Sequence, residues 1–518
     1  MRILKIEMSD SRIKNTTRNV VTSTIFRIIN LAFPFVINSI IIQTLGVEYL
    51  GLNMLFASIL QVLSLSELGF GTAMVFSMYK PIANGDAEKV CALLALYKKV
   101  YLIIGCIISG GGLLCIPLLP FIIKSDVPNG LNIYILFVIS LFNCVITYFM
   151  FAYRSALLEA NQRKDITDKI NILIEIVLNV SKIVILITTK NYYLFCALLP
   201  LYTIINSLLV WVISRKLYPQ YKCSGVITSA EKKPIFSRVI GMSINKLCFV
   251  LSNSFDSIII SSFLGLTILG QYNNYFVIAN AVTMFMKIFT RSATSSIGNS
   301  MVCESTKKNY DDFNTFQFIF GMILGWASIC ILCLNQPFIN IWLGESMLFD
   351  PFTAGIFAVF AYAILSSEVF MTYREAAGIW ERDRLRPFLE GILNLGMNII
   401  FVQFIGVQGV MISTIITMGL IRTIWGSYYL FHEYFKEYSQ KKYLLKLLHY
   451  LTFTVIAGAV SYYVCRLIST EGILGLYLRL IICSVIPLAI CISVYHRTME
   501  FKRTFKLIKA IIKKHKRG

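Results

Sequence analysis

A chain of 518 residues that is 57% hydrophobic and only 14% charged, with a mean hydropathy of +0.70, carries more apolar side chain than a soluble fold of this length encloses. Soluble and disordered classes are excluded, and the chain reads as an all-α integral membrane protein. The net charge of +21 does not indicate nucleic-acid binding, because its distribution along the chain explains it in another way.

Apolar stretches of about 20 residues lie at 18–45, 50–79, 100–123, 131–153, 170–188, 193–213, 239–264, 269–297, 313–336, 352–373, 388–404, 407–431, 447–468 and 474–495. These fourteen stretches are predicted to be membrane-spanning helices. The first seventeen residues are polar and basic and no small-residue cleavage site precedes the first span, so a removable signal peptide is not expected and the N-terminus is expected in the cytoplasm. Stretches 1–18, 80–99, 154–169, 214–238, 298–312, 374–386, 432–446 and 496–518 then share one face and hold 38 of the 48 Lys and Arg. The opposite loops hold Lys124 and Lys190. This asymmetry predicts cytoplasmic N- and C-termini. Arg466 and Arg479, near the outer ends of the last two spans, are within reach of phosphate headgroups. The basic tail after 496 suits anionic membrane lipids.

The loops exclude further classes. The longest outer loop runs from about Pro337 to Pro351 and the longest inner one from Ser214 to Arg238, too short for a folded catalytic domain. No GxxxxGK[ST] loop is present, so the chain is not expected to carry its own nucleotide engine. The thirteen cysteines are scattered; Cys330 and Cys333 form a CxxC inside an apolar helix and read as packing residues. His432, His449, His496 and His515 lack ligand spacing. Neither a metal nor another cofactor is expected.

An internal repeat organises the spans. Leu45-Gly46-Val47-Glu48-Tyr49-Leu50-Gly51 follows the first span, and Leu264-Gly265-Leu266-Thr267-Ile268-Leu269-Gly270 follows the seventh, so LGxxxLG recurs 219 residues later. Ile405-Gly406-Val407-Gln408-Gly409 is a weaker echo. The expected organisation is an N-lobe at 1–213, a basic cytoplasmic linker at 214–238, a C-lobe at 239–431, and an extra helix pair with a basic tail at 432–518. Both lobes run outward from the inside, which relates them by an axis along the membrane normal.

Six, six and two spans, with the LGVEYLGL turn followed by Ser66-Glu67-Leu68-Gly69-Phe70-Gly71, resemble the bacterial polysaccharide flippases of the Wzx type. That family sits in the multidrug/oligosaccharidyl-lipid/polysaccharide (MOP) exporter superfamily with the MATE drug exporters and the lipid II flippase. The resemblance covers essentially the whole chain. It implies paired lobes around a central cavity, alternating access, and a substrate of sugars on an undecaprenyl pyrophosphate lipid. The polysaccharide polymerase and glycosyltransferases of the same pathway are the implied partners.

The residues point to an anion without the family name. Arg27, Lys182, Lys246, Lys287, Arg291 and Arg422 lie inside predicted spans, where an isolated charge costs several kcal/mol. Ser23, Arg27, Asn30, Pro34 and Asn38 fall on one face of the first span; Asn280, Thr283, Lys287, Arg291 and Thr294 do so in the eighth; Lys246, Asn253 and Asp256 lie close to one face of the seventh. Such polar stripes must face other helices or water. Arg27, Lys287, Arg291, Lys246 and Arg422 are therefore the candidate cations for a pyrophosphate, with Asn30, Asn38, Asn253 and Asn280 as hydrogen-bonding side chains. Glu67 and Asp256 are candidates for ion coupling. Glu67, Glu175, Asp256, Glu368 and Glu390 could instead neutralise the cations as structural pairs, with Glu175 and Lys182 two turns apart on one helix the leading example. Pro34 could kink its helix. The rival readings are a MATE-like exporter of organic cations, a membrane-embedded glycan transferase and a non-transporting assembly protein. For the transferase, Glu381, Asp383 and Arg384 offer only what reads as a solvated loop.

Overall fold

The structure, a computed structural model, describes residues 2–64, 69–124, 127–128, 130–379, 383 and 385–515, with the side chains of 2–17, 20–21, 230, 237–238, 240–253 and 511–515 not described. No strand occurs among the described residues. In chain order the helices are α1 (Arg2–Thr44), α2 (Val47–Leu63), α3 (Phe70–Ala83), α4 (Ala87–Cys115), α5 (Leu119–Ile122), α6 (Ile133–Phe149), α7 (Ala152–Ala160), α8 (Lys164–Thr189), α9 (Tyr192–Leu217), α10 (Ser229–Leu264), α11 (Leu266–Cys303), α12 (Thr306–Leu343), α13 (Pro351–Ser366), α14 (Glu368–Ala376), α15 (Leu385–Thr414), α16 (Arg422–Glu433), α17 (Gln440–Arg466), α18 (Gly472–Tyr495) and α19 (Met499–His515).

Each predicted span coincides with a helix or a broken pair. Nine of the described helices are long and apolar enough to cross a membrane, ten when α6 and α7, bent by 51°, count as one span. The stretch 50–79 is divided between α2 and α3. One apparent span of 49 residues, Leu385–Glu433, is divided at Ile405 and Gly406, where Gly406 takes φ 60° and ψ −140°. That region of backbone space is open essentially to glycine alone. The turn separates the predicted stretches 388–404 and 407–431, and a π-helical segment, Ile415–Ile421, then leads into α16. Pro34 lies inside the unbroken α1. The molecule is a multi-pass membrane protein.

The chain divides into two compact units, Met1–Gly270 and Gln271–Gly518. In the first, α1 packs along α8, α6 along α9 and α2 along α10. α8 shows the inverted amphipathicity that lipid demands. Leu173, Ile176, Val177, Val180, Val184 and Ile187 are exposed along one stripe, while Asp165, Asp168 and Asn179 are buried. The two LGxxxLG copies also meet in this unit. A Cβ on Gly51 would collide with the Leu266 carbonyl, and one on Gly270 would collide with the Val47 carbonyl. Thr267 Oγ1 donates to Glu48 Oε1 at 3.1 Å across the same contact. The repeat motif is thus a reciprocal backbone contact as well as a pair of turns.

In the second unit α12 is the hub, packed against α13, α17, α18 and α19. Gly321 and Gly325 bring α12 close to Tyr450 and Thr454 of α17, as small residues do where helices associate in lipid. Phe313, Phe370, Tyr373, Phe431, Phe435 and Tyr443 form an aromatic core beside it. Rings such as Phe313 and Tyr373, 4.9 Å apart at 76°, adopt the edge-to-face geometry that the ring quadrupoles favour.

Candidate substrate site

The predicted polar residues separate into cations already neutralised and cations that are not. In the first unit, α1 is fixed to the α7–α8 turn by a buried carboxylate. Asp165 forms an ion pair with Arg18 at 2.9 Å and accepts from Arg163 at 3.2 Å, with Lys169 at 3.7 Å, while its own backbone N–H donates to Asn19 Oδ1 at 2.9 Å. One turn along α8, buried Asp168 accepts from the Ser23 hydroxyl. Ser23 and Asp168 then form one wall of a pocket of about 320 Å³ that Arg27, Glu159, Lys164 and Asn171 also line. Arg27 is exposed, and no ion pair holds it among the described residues. Asn30 donates to the Phe26 carbonyl at 3.0 Å on its own helix. Asn38 is buried. In effect the first polar stripe is fastened at Ser23 and open at Arg27.

Lys182 differs from the expected pairing with Glu175. Glu175 accepts from Asn179 at 3.1 Å, whereas the Lys182 ammonium rests over the Phe195 ring, 5.2 Å from its centroid. The two charges interact, but at longer range than a salt bridge. An aromatic face in a dry site supplies part of the stabilisation that a contact pair would have given.

In the second unit Lys287 of α11 lies 3.3 Å from Glu368 of α14. One turn further along α11, Arg291 is exposed, and Glu375 is near enough for the two charges to interact. Asn280 is exposed on the same helix. Arg422 donates to Glu390 through Nε at 2.9 Å and through Nη2 as well. Glu390 also accepts from Arg386 at 2.6 Å, Arg386 reaches Asp383 at 2.9 Å, and Asp383 meets Arg374. Three guanidinium groups thus share two carboxylates in a buried chain linking α14, α15 and α16.

This network is the main feature that sequence reasoning overlooked. Asp383, read as part of a solvated loop, is 1% exposed. A signal was available, since Asp383, Arg386 and Glu390 are spaced i, i+3 and i+7 and so share a helical face at the start of α15. The spacing did not show that α16 would bring Arg422 to that face. Asp256 of α10 is 5% exposed and engaged with neighbouring groups. The side chains of Lys246 and Asn253, and Glu67 altogether, lie outside the described residues.

No protein-family model matches the sequence, and no curated protein sequence does. Solved structures do match the fold. An inward-facing multidrug-resistance MATE family transporter aligns with a TM-score of 0.61 at 15% identity, covering 79% of this chain and 97% of its own. The lipid II flippase MurJ, in an inward closed conformation, aligns with a TM-score of 0.64 at 15% identity, covering 92% of this chain and 98% of its own. A MOP superfamily transporter from Pyrococcus furiosus, described as having a binding pocket of reversed polarity, aligns at 0.52 and 14% identity over 80% of this chain and 95% of its own. This chain has the all-helical fold of the MATE and MurJ transporters of the MOP superfamily.

Proposed function

We propose that the protein is a flippase of the Wzx type, which moves an undecaprenyl-pyrophosphate-linked oligosaccharide across the bacterial cytoplasmic membrane by alternating access. The observation that carries this reading is the helix pair α17–α18. The alignment with the MATE transporter spans 79% of the chain, and that with the lipid II flippase spans 92%. The pair is docked on α12 through Phe318, Ile329, Cys333, Tyr450 and Phe453, and its outer stripe of Leu448, Val455, Val485, Leu488 and Ile492 is exposed. An apolar surface of this kind suits a polyprenyl tail that never leaves lipid.

The charges agree with an anionic headgroup. Arg27 of α1 and Arg291 of α11 are exposed and free of ion pairs among the described residues, so each is a leading candidate to bind pyrophosphate oxygens bidentately. Lys287 and Arg422 have carboxylate partners and contribute field more than direct ligation. Exposed cations facing the substrate disfavour an organic-cation exporter, which would be repelled. The proposed cycle is alternating access, in which the substrate is taken up on the inner side and released on the outer. The chain supplies binding and motion and makes no covalent bond, while polymerase and glycosyltransferases act before and after it.

The test is a deletion strain in which undecaprenyl-linked oligosaccharide is assayed on the inner face of the membrane. Accumulation that the wild-type gene reverses is the expected result. The absence of accumulation overturns the flippase. Full complementation by Arg27→Ala and Arg291→Ala at matched expression overturns the cationic site but leaves the flippase standing.

A further inference from the structure

We propose that Cys333, Cys465 and Cys483 form a binding site for a soft d10 metal ion, copper(I) by chemical preference, which fastens the helix pair α17–α18 to α12. The three residues come from three helices, so no spacing in the sequence announces them. They are buried, and their sulfur atoms all lie within 4.8 Å of one another. Cys465 and Cys483 stand 3.9 Å apart, and no disulfide joins them. Sulfur ligands at about 2.3 Å from one ion stand about 4 Å from each other. The thiols are therefore already spaced as ligands, and closing the ring around an ion requires a shift of roughly an ångström or less.

Chemistry narrows the ion. Within the cluster the donors are sulfur, with no imidazole or carboxylate, which selects thiophilic ions over magnesium, calcium or manganese. Three coordination suits copper(I), whereas zinc asks for four ligands. Cys330, one turn before Cys333 on α12, interacts electrostatically with Cys483 but lies outside the group of thiols that are all within 4.8 Å of one another. Binding two thiolates and one neutral thiol to copper(I) releases two protons and leaves a single negative charge, which Arg479, one turn from Cys483 on α18, offsets.

Two further observations point to a ligand. Ser461, one turn before Cys465 on α17, is fully buried with its hydroxyl unpartnered, an unusual cost in an apolar core. A pocket of about 240 Å³, lined in part by Gln336, Asn340, Glu471 and Arg479, lies near the cluster through Arg479, whose carbonyl is 3.9 Å from Cys465 Sγ. Simple packing of cysteines as small apolar groups does not explain the orphaned hydroxyl.

The full-length protein, purified in detergent and kept reduced and anaerobic, is titrated with copper(I) against a coloured copper(I) chelator. One tightly held ion per chain and a raised melting temperature are expected. Cys333→Ser/Cys483→Ser weakens binding by at least about tenfold, as ligand loss does, and Cys106→Ser/Cys115→Ser leaves it unchanged. In the wild-type protein, copper(I) slows alkylation of Cys333, Cys465 and Cys483 and not of Cys115, which keeps the test decisive even if the double variant misfolds. Absence of a tight ion, or equal protection of all cysteines, overturns the site.

Discussion

At the residue scale, charge balance separates structural from functional cations. Glu390 is 2% exposed and holds both Arg386 and Arg422, so Glu390→Ala removes the carboxylate partner of Arg422 and one of the two that hold Arg386. Breaking a buried pair from one side costs about 3–5 kcal/mol. Thermal melts in detergent should show a fall in melting temperature, and a melt like wild type counts against a tight network. Arg27→Ala, on an exposed side chain, should leave the melt unchanged and lower transport severalfold, read from sugar translocation in membranes at equal protein. Phe195→Leu, which withdraws the ring beneath Lys182, should cost about 1–2 kcal/mol if the cation–π contact stands in for the missing ion pair.

At the element scale, helix starts and close approaches are what the sequence controls most directly. The linker ends in a capping box. Thr228 and Glu231 satisfy the first turn of α10, and Lys89 of α4 reaches Glu231 at 2.7 Å. The Lys89 ammonium, then the Thr228 hydroxyl and backbone, hold the Glu231 carboxyl below its ordinary value. A depressed folded-state value means the contribution is complete above the ordinary carboxylate range and lost as pH falls through the depressed value. Limited proteolysis of 218–228 should therefore accelerate on acidification, and Glu231→Gln should abolish that dependence. Gly51→Ala drives a methyl into the Leu266 carbonyl, where overpacking costs about 1–3 kcal/mol. Cross-linking between residues flanking 51 and 266 should fall in this variant, and an unchanged yield argues against the contact.

At the scale of the whole molecule, topology and transport are tested together. Native Cys223, in the loop before α10, should react with an impermeant thiol reagent only from the cytoplasmic side, and Asn191→Cys, before α9, only from outside. The opposite pattern inverts the orientation. Hydropathy and Lys/Arg asymmetry by themselves determined the membrane class, the helical class and the positions of the spans. Each of these follows from the cost of taking backbone and charge into lipid, a local property of every stretch. The recurrence of LGxxxLG was legible for a similar reason, since tight turns and close contacts leave little choice but glycine. Partnership was not legible. Lys287 with Glu368, Arg422 with Glu390 and the three thiols of Cys333, Cys465 and Cys483 each join different helices. Helical periodicity assigns a residue to a face of its own helix but carries no information about which helix meets that face. Only the tertiary structure decided which buried charges are already satisfied and, among the described residues, which exposed cations have no ion pair.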